Sequence, residues 1–148
     1  MIIDFHCHIY PAKIAEKASK SVGDFYNYPM KYHGRPEELL ESGSKIGVTK
    51  YVVLPVATKA MQVEPSNNFT IEQCEEHPEF IGFGTMHPDY DNYEAELHRI
   101  KEAGLRGIKL HSDFQKFQID AARMDNVYDI MTDLNLPLIM HAGDYRYD

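Results

Sequence analysis

The sequence predicts an α/β protein with a parallel sheet, and three observations lead there. Five short apolar runs, near residues 2–8, 50–56, 80–86, 105–111 and 137–142, alternate with polar stretches of helical spacing. A glycine or asparagine stop stands before several of the runs, at Gly47, Gly104 and Asn135. Histidines close four of them, at His8, His87, His111 and His141. Strand and helix in strict alternation imply parallel pairing through right-handed crossovers.

Each element has its own signal. "RPEELLESGSKIG" places Pro36 in a first helical turn and Leu39, Leu40 and Ile46 on one side before Gly47. A helix from about Asn67 to Glu76 carries Phe69, Ile71 and Cys74, and Pro78 ends it ahead of "FIGFGTMH". "DNYEAELHRIKEAG" offers Asp91 as a cap with Glu94 three residues on, buries Leu97 and Ile100, and stops at Gly104. Val127, Ile130, Met131 and Leu134 then repeat at helical spacing up to Asn135, before "PLIMHAG".

Two architectures satisfy this order, an open doubly wound sheet and a (β/α) barrel. Open sheets that hold phosphates usually carry a glycine-rich turn after the first strand, and "HCHIYPAKIAEK" has no glycine there. Barrels gather their chemistry at the C-terminal strand ends, where the four histidines fall. The expectation is a TIM-barrel type fold. A full barrel takes about 250 residues, so 148 residues correspond to about five of eight β/α units. Residues 1–148 are therefore expected to be the N-terminal part of one barrel domain. Its open edges should favour self-association or a complementing C-terminal half.

Composition narrows the partners. With 15 basic and 23 acidic residues the formal charge is −8, which disfavours attraction to nucleic acid or anionic lipid. No apolar run approaches the ~20 residues of a membrane span. Two cysteines make no disulfide framework. No basic-then-apolar segment opens the chain. A cytoplasmic protein acting on a small molecule is the expectation.

The first run supplies the chemistry. In "IDFHCH" a strand would turn Asp4, His6 and His8 to one face and Phe5 and Cys7 to the other. Same-face neighbours about 6.5–7 Å apart let two imidazoles lean onto one ion at about 2.0–2.1 Å. Cys7, on the apolar parity, reads as a small buried hydrophobe. In "GIKLH", Gly107, Lys109 and His111 share one face while Ile108 and Leu110 share the one that packs on helices.

These residues together resemble the amidohydrolase superfamily of metal-dependent TIM-barrel hydrolases, in particular its amidohydrolase 2 branch. The resemblance runs over the whole chain through "DFHCH", "GFGTMHPDY", "GIKLHSDFQKFQID" and "LPLIMHAGD". It implies that His6, His8 and His141 bind one divalent metal. Zn2+ is the default for a histidine-rich site, with Mn2+ or Fe2+ as alternatives. It implies hydrolysis of an amide, lactone or related bond, or, in some members, nonoxidative decarboxylation of a small aromatic or unsaturated acid. The family's sixth-strand histidine and eighth-strand aspartate have no counterpart in these residues, so no catalytic residue is assigned and the chain alone is expected to be nearly inactive.

The remaining candidates are read on their own residues. Ala142 and Gly143 leave room beside His141. In some superfamily members a fourth-strand lysine is carbamylated between two metals. In a one-metal branch Lys109 is expected instead to be a structural cation or a substrate anchor. His111 is either a substrate contact or a loop anchor. His87, in "MHPD", reads as a turn residue, and His33, His77 and His98 as solvent or loop histidines. The connection from Ile9 to Gly34, helical and then aromatic, is either a lid over the site or a packed cover.

Overall fold

The computed structural model describes residues 1–142. Strands β1 (Ile2–Cys7), β2 (Val48–Val53) and β3 (Phe80–Gly82) form one parallel ladder in that order, and β4 (Gly84–Thr85), β5 (Ile108–His111) and β6 (Leu138–His141) form a second. The single run expected at 80–86 is thus two pieces. At Phe83 the chain changes partner: the Phe83 N–H bonds to the Val53 carbonyl at 3.0 Å, and the next N–H, of Gly84, to the Gly107 carbonyl at 2.8 Å. One segment therefore joins both ladders, and five strand positions make a continuous arc.

Helices α1 (Ala15–Tyr26), α2 (Pro36–Ser44), α3 (Val63–Glu76), α4 (Tyr93–Glu102), a single turn α5 (Ser112–Gln115) and α6 (Asp125–Asp133) fill the connections. The three anticipated stops adopt left-handed backbone, with φ of 79° at Gly47, 88° at Gly104 and 52° at Asn135, the conformation that ends a helix most cheaply. Pro36 does open α2. Asp91 does not cap α4; the cap position is Asn92, without a side-chain bond.

Parity along the strands separates two layers. Ile108 and Leu110 are fully buried against Leu97, Ile100 and Met131 on the helix side. Val52, Leu54 and Phe83 pack with Ile81 and Ile139 in a separate cluster on the inner face. Lys109 pairs in register with Ile139, and His111 with His141, so both share that inner face. Glycine is required where the layers crowd: a Cβ on Gly82 would lie 2.6 Å from the Cys74 Sγ and 2.7 Å from Leu105 Cδ2. Among the described residues no helix is long and apolar enough to cross a membrane.

Candidate metal centre

All the site groups sit at the C-terminal ends of the arc. The first strand delivers His6 and His8, though not through unbroken alternation. Asp4 pairs with Tyr51 and Cys7 with Val53, three residues against two, so a bulge lies between them. The Asp4 carboxylate accepts the His6 N–H across it at 3.2 Å. Bulges re-aim side chains, and here the two imidazole Nε2 atoms end 3.1 Å apart. His8 is held from behind, its Nδ1 2.7 Å from the Leu54 carbonyl. A carbonyl only accepts, so the proton is on Nδ1 and the Nε2 lone pair faces the site.

Cys7 is 3% exposed and its Sγ donates to the Asp4 carbonyl at 3.6 Å. Burial pushes its thiol up to about 12, which removes the thiolate that a metal would need.

The other wall is β5, α5 and β6. His111 is 4% exposed and its ring stacks on two others, Phe114 at 3.9 Å and 6° and His141 at 3.9 Å and 9°. Its Nδ1 accepts the Phe114 N–H at 3.4 Å, and its Nε2 lies 3.2 Å from the Tyr26 hydroxyl. Behind it, Gln115 ties the last residue of β5 to the segments that follow β2 and β4. Its amide oxygen accepts the His111 N–H at 2.8 Å, and its amide nitrogen donates to the Ala57 and Met86 carbonyls at 2.8 and 2.5 Å. Lys109 has no exposed surface, and among the described residues its Nζ has no hydrogen-bond partner; Asp113 Oδ2 and His141 Nε2 are buried and unpartnered too. The last two are 3.8 Å apart, beyond hydrogen-bond range.

The field inside this cluster favours neutral imidazoles. Desolvation lowers His6, with the Lys109 and His141 charges adding to it. Desolvation lowers His8 as well, against the raising effect of the Leu54 carbonyl. His111 is pushed down to about 3, by desolvation first and then by His141, Lys109 and His8. Burial pulls the Lys109 ammonium below its usual range. Only the neutral imidazole binds metal, so these shifts keep the donors ready over a wide pH range.

Comparison with known proteins fits this arrangement. The family profile described as amidohydrolase, Amidohydro_2, matches residues 3–148. The chain belongs to the amidohydrolase family. A crystal structure described as an amidohydrolase II superposes with a TM-score of 0.68 at 13% identity, over 97% of this chain and 51% of that one. This amidohydrolase chain thus spans about half the length of that structure, and the likeness shows a shared (β/α)-barrel fold, here as an incomplete arc. No curated protein matches it in sequence.

Amidohydrolases are generally metal-dependent, and among the described residues one group of three donors and one close imidazole pair stand here. His111, Asp113 and His141 bring one ligand atom each within 4.8 Å of one another. Their orientation is less favourable than their spacing. Imidazole lone pairs lie in the ring plane, and two nearly parallel rings 3.9 Å apart aim theirs side by side instead of at one point. The Nε2 pair of His6 and His8 passes the test. A 3.1 Å separation suits two ligands each about 2.0–2.1 Å from one ion, and His8 has the carbonyl support typical of a ligating histidine. His141 faces the same inner surface with a buried Nε2 that has no hydrogen-bond partner among the described residues, but its ligand atom groups with those of His111 and Asp113, and no group of His6, His8 and His141 forms within 4.8 Å among the described residues.

Asp113, Tyr26 and Gln115 were not anticipated from the sequence. The barrel rule that post-strand loops carry chemistry would have singled out Asp113, two residues beyond His111. His87 is a turn residue, its Nδ1 accepting the Asp89 N–H at 3.1 Å. Gly143 lies outside the described residues.

Proposed function

We propose that this chain carries the metal-binding half of a metal-dependent hydrolase, in which His6, His8 and His141 hold one divalent ion, zinc by default. The convergence of the His6 and His8 Nε2 atoms, with His8 fixed from behind by the Leu54 carbonyl, carries the reading. The ion, when bound, lowers the pKa of its water toward 7 and polarises a substrate carbonyl. The chain's own groups do the rest. Lys109 supplies a dry cation for an anionic substrate group, His111 is fixed in a stack between Phe114 and His141, and the Asp113 carboxylate, 3.8 Å from the His141 Nε2, steadies that ring.

Amide, lactone or related bonds of a small cytoplasmic substrate are the leading targets. A second reading, nonoxidative decarboxylation of a small aromatic or unsaturated acid, draws on the same Lys109.

Metal analysis tests the centre. The wild-type chain should carry about one zinc after reconstitution, and His6→Ala/His8→Ala should lose it. Full stoichiometry in the double variant refutes the ligand set.

We propose as well that the remaining barrel strands, from a second copy or a complementing half, cover the open edge. Ile2, Ile3 and Phe5 of β1 are 51%, 44% and 63% exposed, a long apolar edge of the kind that recruits strands. Light scattering on residues 1–148 should show particles larger than 17.1 kDa, with hydrolysis of amide and lactone panels reduced about 10²- to 10⁴-fold relative to a longer chain that supplies a positioned base. A dispersed monomer with full turnover contradicts both expectations.

A further inference from the structure

We infer that Tyr26 is a positioning residue of the site: its phenol oxygen accepts the Nε2–H of His111 and turns that imidazole away from the ion. The long first connection then works as part of the site instead of covering it.

The argument starts from the other ring nitrogen. His111 Nδ1 accepts the Phe114 N–H at the start of α5, and an imidazole that accepts at Nδ1 carries its proton on Nε2. The atom 3.2 Å from that Nε2 is the Tyr26 hydroxyl, 85 residues away in sequence. So His111 donates and Tyr26 accepts.

Tyr26 is not brought there by chance of packing. It is the last residue of α1, and the chain turns sharply just beyond it, with Asn27 at φ 50° and the Tyr28 N–H on the Gly23 carbonyl at 2.9 Å. A Cβ on Gly23 would lie 2.7 Å from the Tyr28 carbonyl oxygen, so a glycine is needed for the turn to close. Phe25 meets Phe114 edge-on at 4.7 Å, which anchors the end of α1 to α5, and the Tyr26 ring stands 6.4 Å from His141. The same residue that fixes the His111 tautomer therefore lies over the third donor.

The consequence at the metal rests on the reading of His6, His8 and His141 as ligands; the tautomer does not. With Nε2 protonated and engaged, His111 is withheld from the ion although it stacks on a ligand. Its ring is held between Phe114 and His141 as a fixed part of the wall.

Nitrogen spectroscopy on 15N-labelled residues 1–148, metal-free and then with Zn2+, tests the assignment; magic-angle spinning gives the tautomer whatever the particle size, and His111→Gln identifies the signal. The wild-type chain should show His111 protonated at Nε2. Tyr26→Phe, which keeps the ring packing, should leave the amide spectrum intact and speed exchange of the Nε2 proton with water by about tenfold, the worth of one hydrogen bond. A proton on Nδ1 in the wild type, or an exchange rate unchanged in Tyr26→Phe, overturns the proposal. Zinc should then shift His6, His8 and His141 and spare His111. If zinc moves His111 as a ligand in the wild type, the proposal fails. If zinc moves none of the four, the metal reading fails, and the metal-free spectra still decide the role of Tyr26.

Discussion

Lys109→Met should stabilise the protein, by about 1–4 kcal/mol, the range seen when buried charges give way to well-packed apolar residues. The sign is the informative part. Lys109 has no exposed surface, and its Nζ has no partner among the described residues. Its neighbours on the inner face include Ile139 in register. An ammonium there has given up water without a hydrogen bond from the described residues, and if it sheds its proton the cost reappears as the free energy of deprotonation, about 1.4 kcal/mol per pKa unit. Methionine fills a similar volume without charge and adapts to the space. A stability cost at this position fits the proposed role of Lys109 as the cation that meets an anionic substrate group. Urea denaturation of both chains, with and without a carboxylate competitor, separates the roles. The variant should be harder to unfold and should lose the competitor's stabilising effect. A variant destabilised by 1 kcal/mol or more would mean that Lys109 is a structural cation with a partner in the fold.

The arc was legible in the sequence because its strands read as short apolar runs, and because Gly47, Gly104 and Asn135 mark helix ends by a backbone requirement that few other residues meet. What escaped was local. Phe83 looks like the middle of a strand, since its side chain is apolar and buried; the exchange of hydrogen-bond partners there depends on where two other strands lie. The bulge between Asp4 and Cys7 leaves no mark on composition. The helix α5 is four residues long, too short for any periodicity to register.

The same division holds at the site. His6 and His8 were readable from spacing, because two imidazoles two residues apart on a strand have few other places to point, and the bulge altered the route without preventing the meeting. Lys109 and His111 were placed on the inner face by parity, and they are there. Tyr26 and Gln115 were not readable, because each acts through a partner brought close only by the folded arc. Tyr26 lies on a helix from the first connection, and Gln115 ties the last residue of β5 to the segments that follow β2 and β4. Sequence patterns show what a residue offers; the carbonyl or ring that takes up the offer belongs to the tertiary fold.

Acid should unfold the metal-free chain in a window set by these histidines. His111 has a pKa of about 3 in the folded protein against about 6.5 for a histidine in an unfolded chain. Between those values the unfolded state binds more protons, so stability rises with pH there and falls as pH drops from about 6.5; above that pH the contribution is constant. Desolvation lowers His6 and His8 too, so they add to the slope in the same direction, less strongly where solvent reaches their rings. Each fully engaged site contributes about 1.4 kcal/mol per pH unit. From pH 6.5 to 4.5, before most carboxylates titrate, the chain should therefore lose a few kcal/mol, measured by urea denaturation in chelator at fixed salt. His111→Gln removes one titrating group, and its slope near pH 5 should be shallower by about one proton. Zinc should make the acid limb steeper, because each ligand must shed its proton to bind and the ion's stabilisation disappears as protons displace it. A stability profile flat from pH 6.5 to 4.5, or one whose slope is the same in His111→Gln, would show that these imidazoles are as free to take a proton in the folded chain as in the unfolded one.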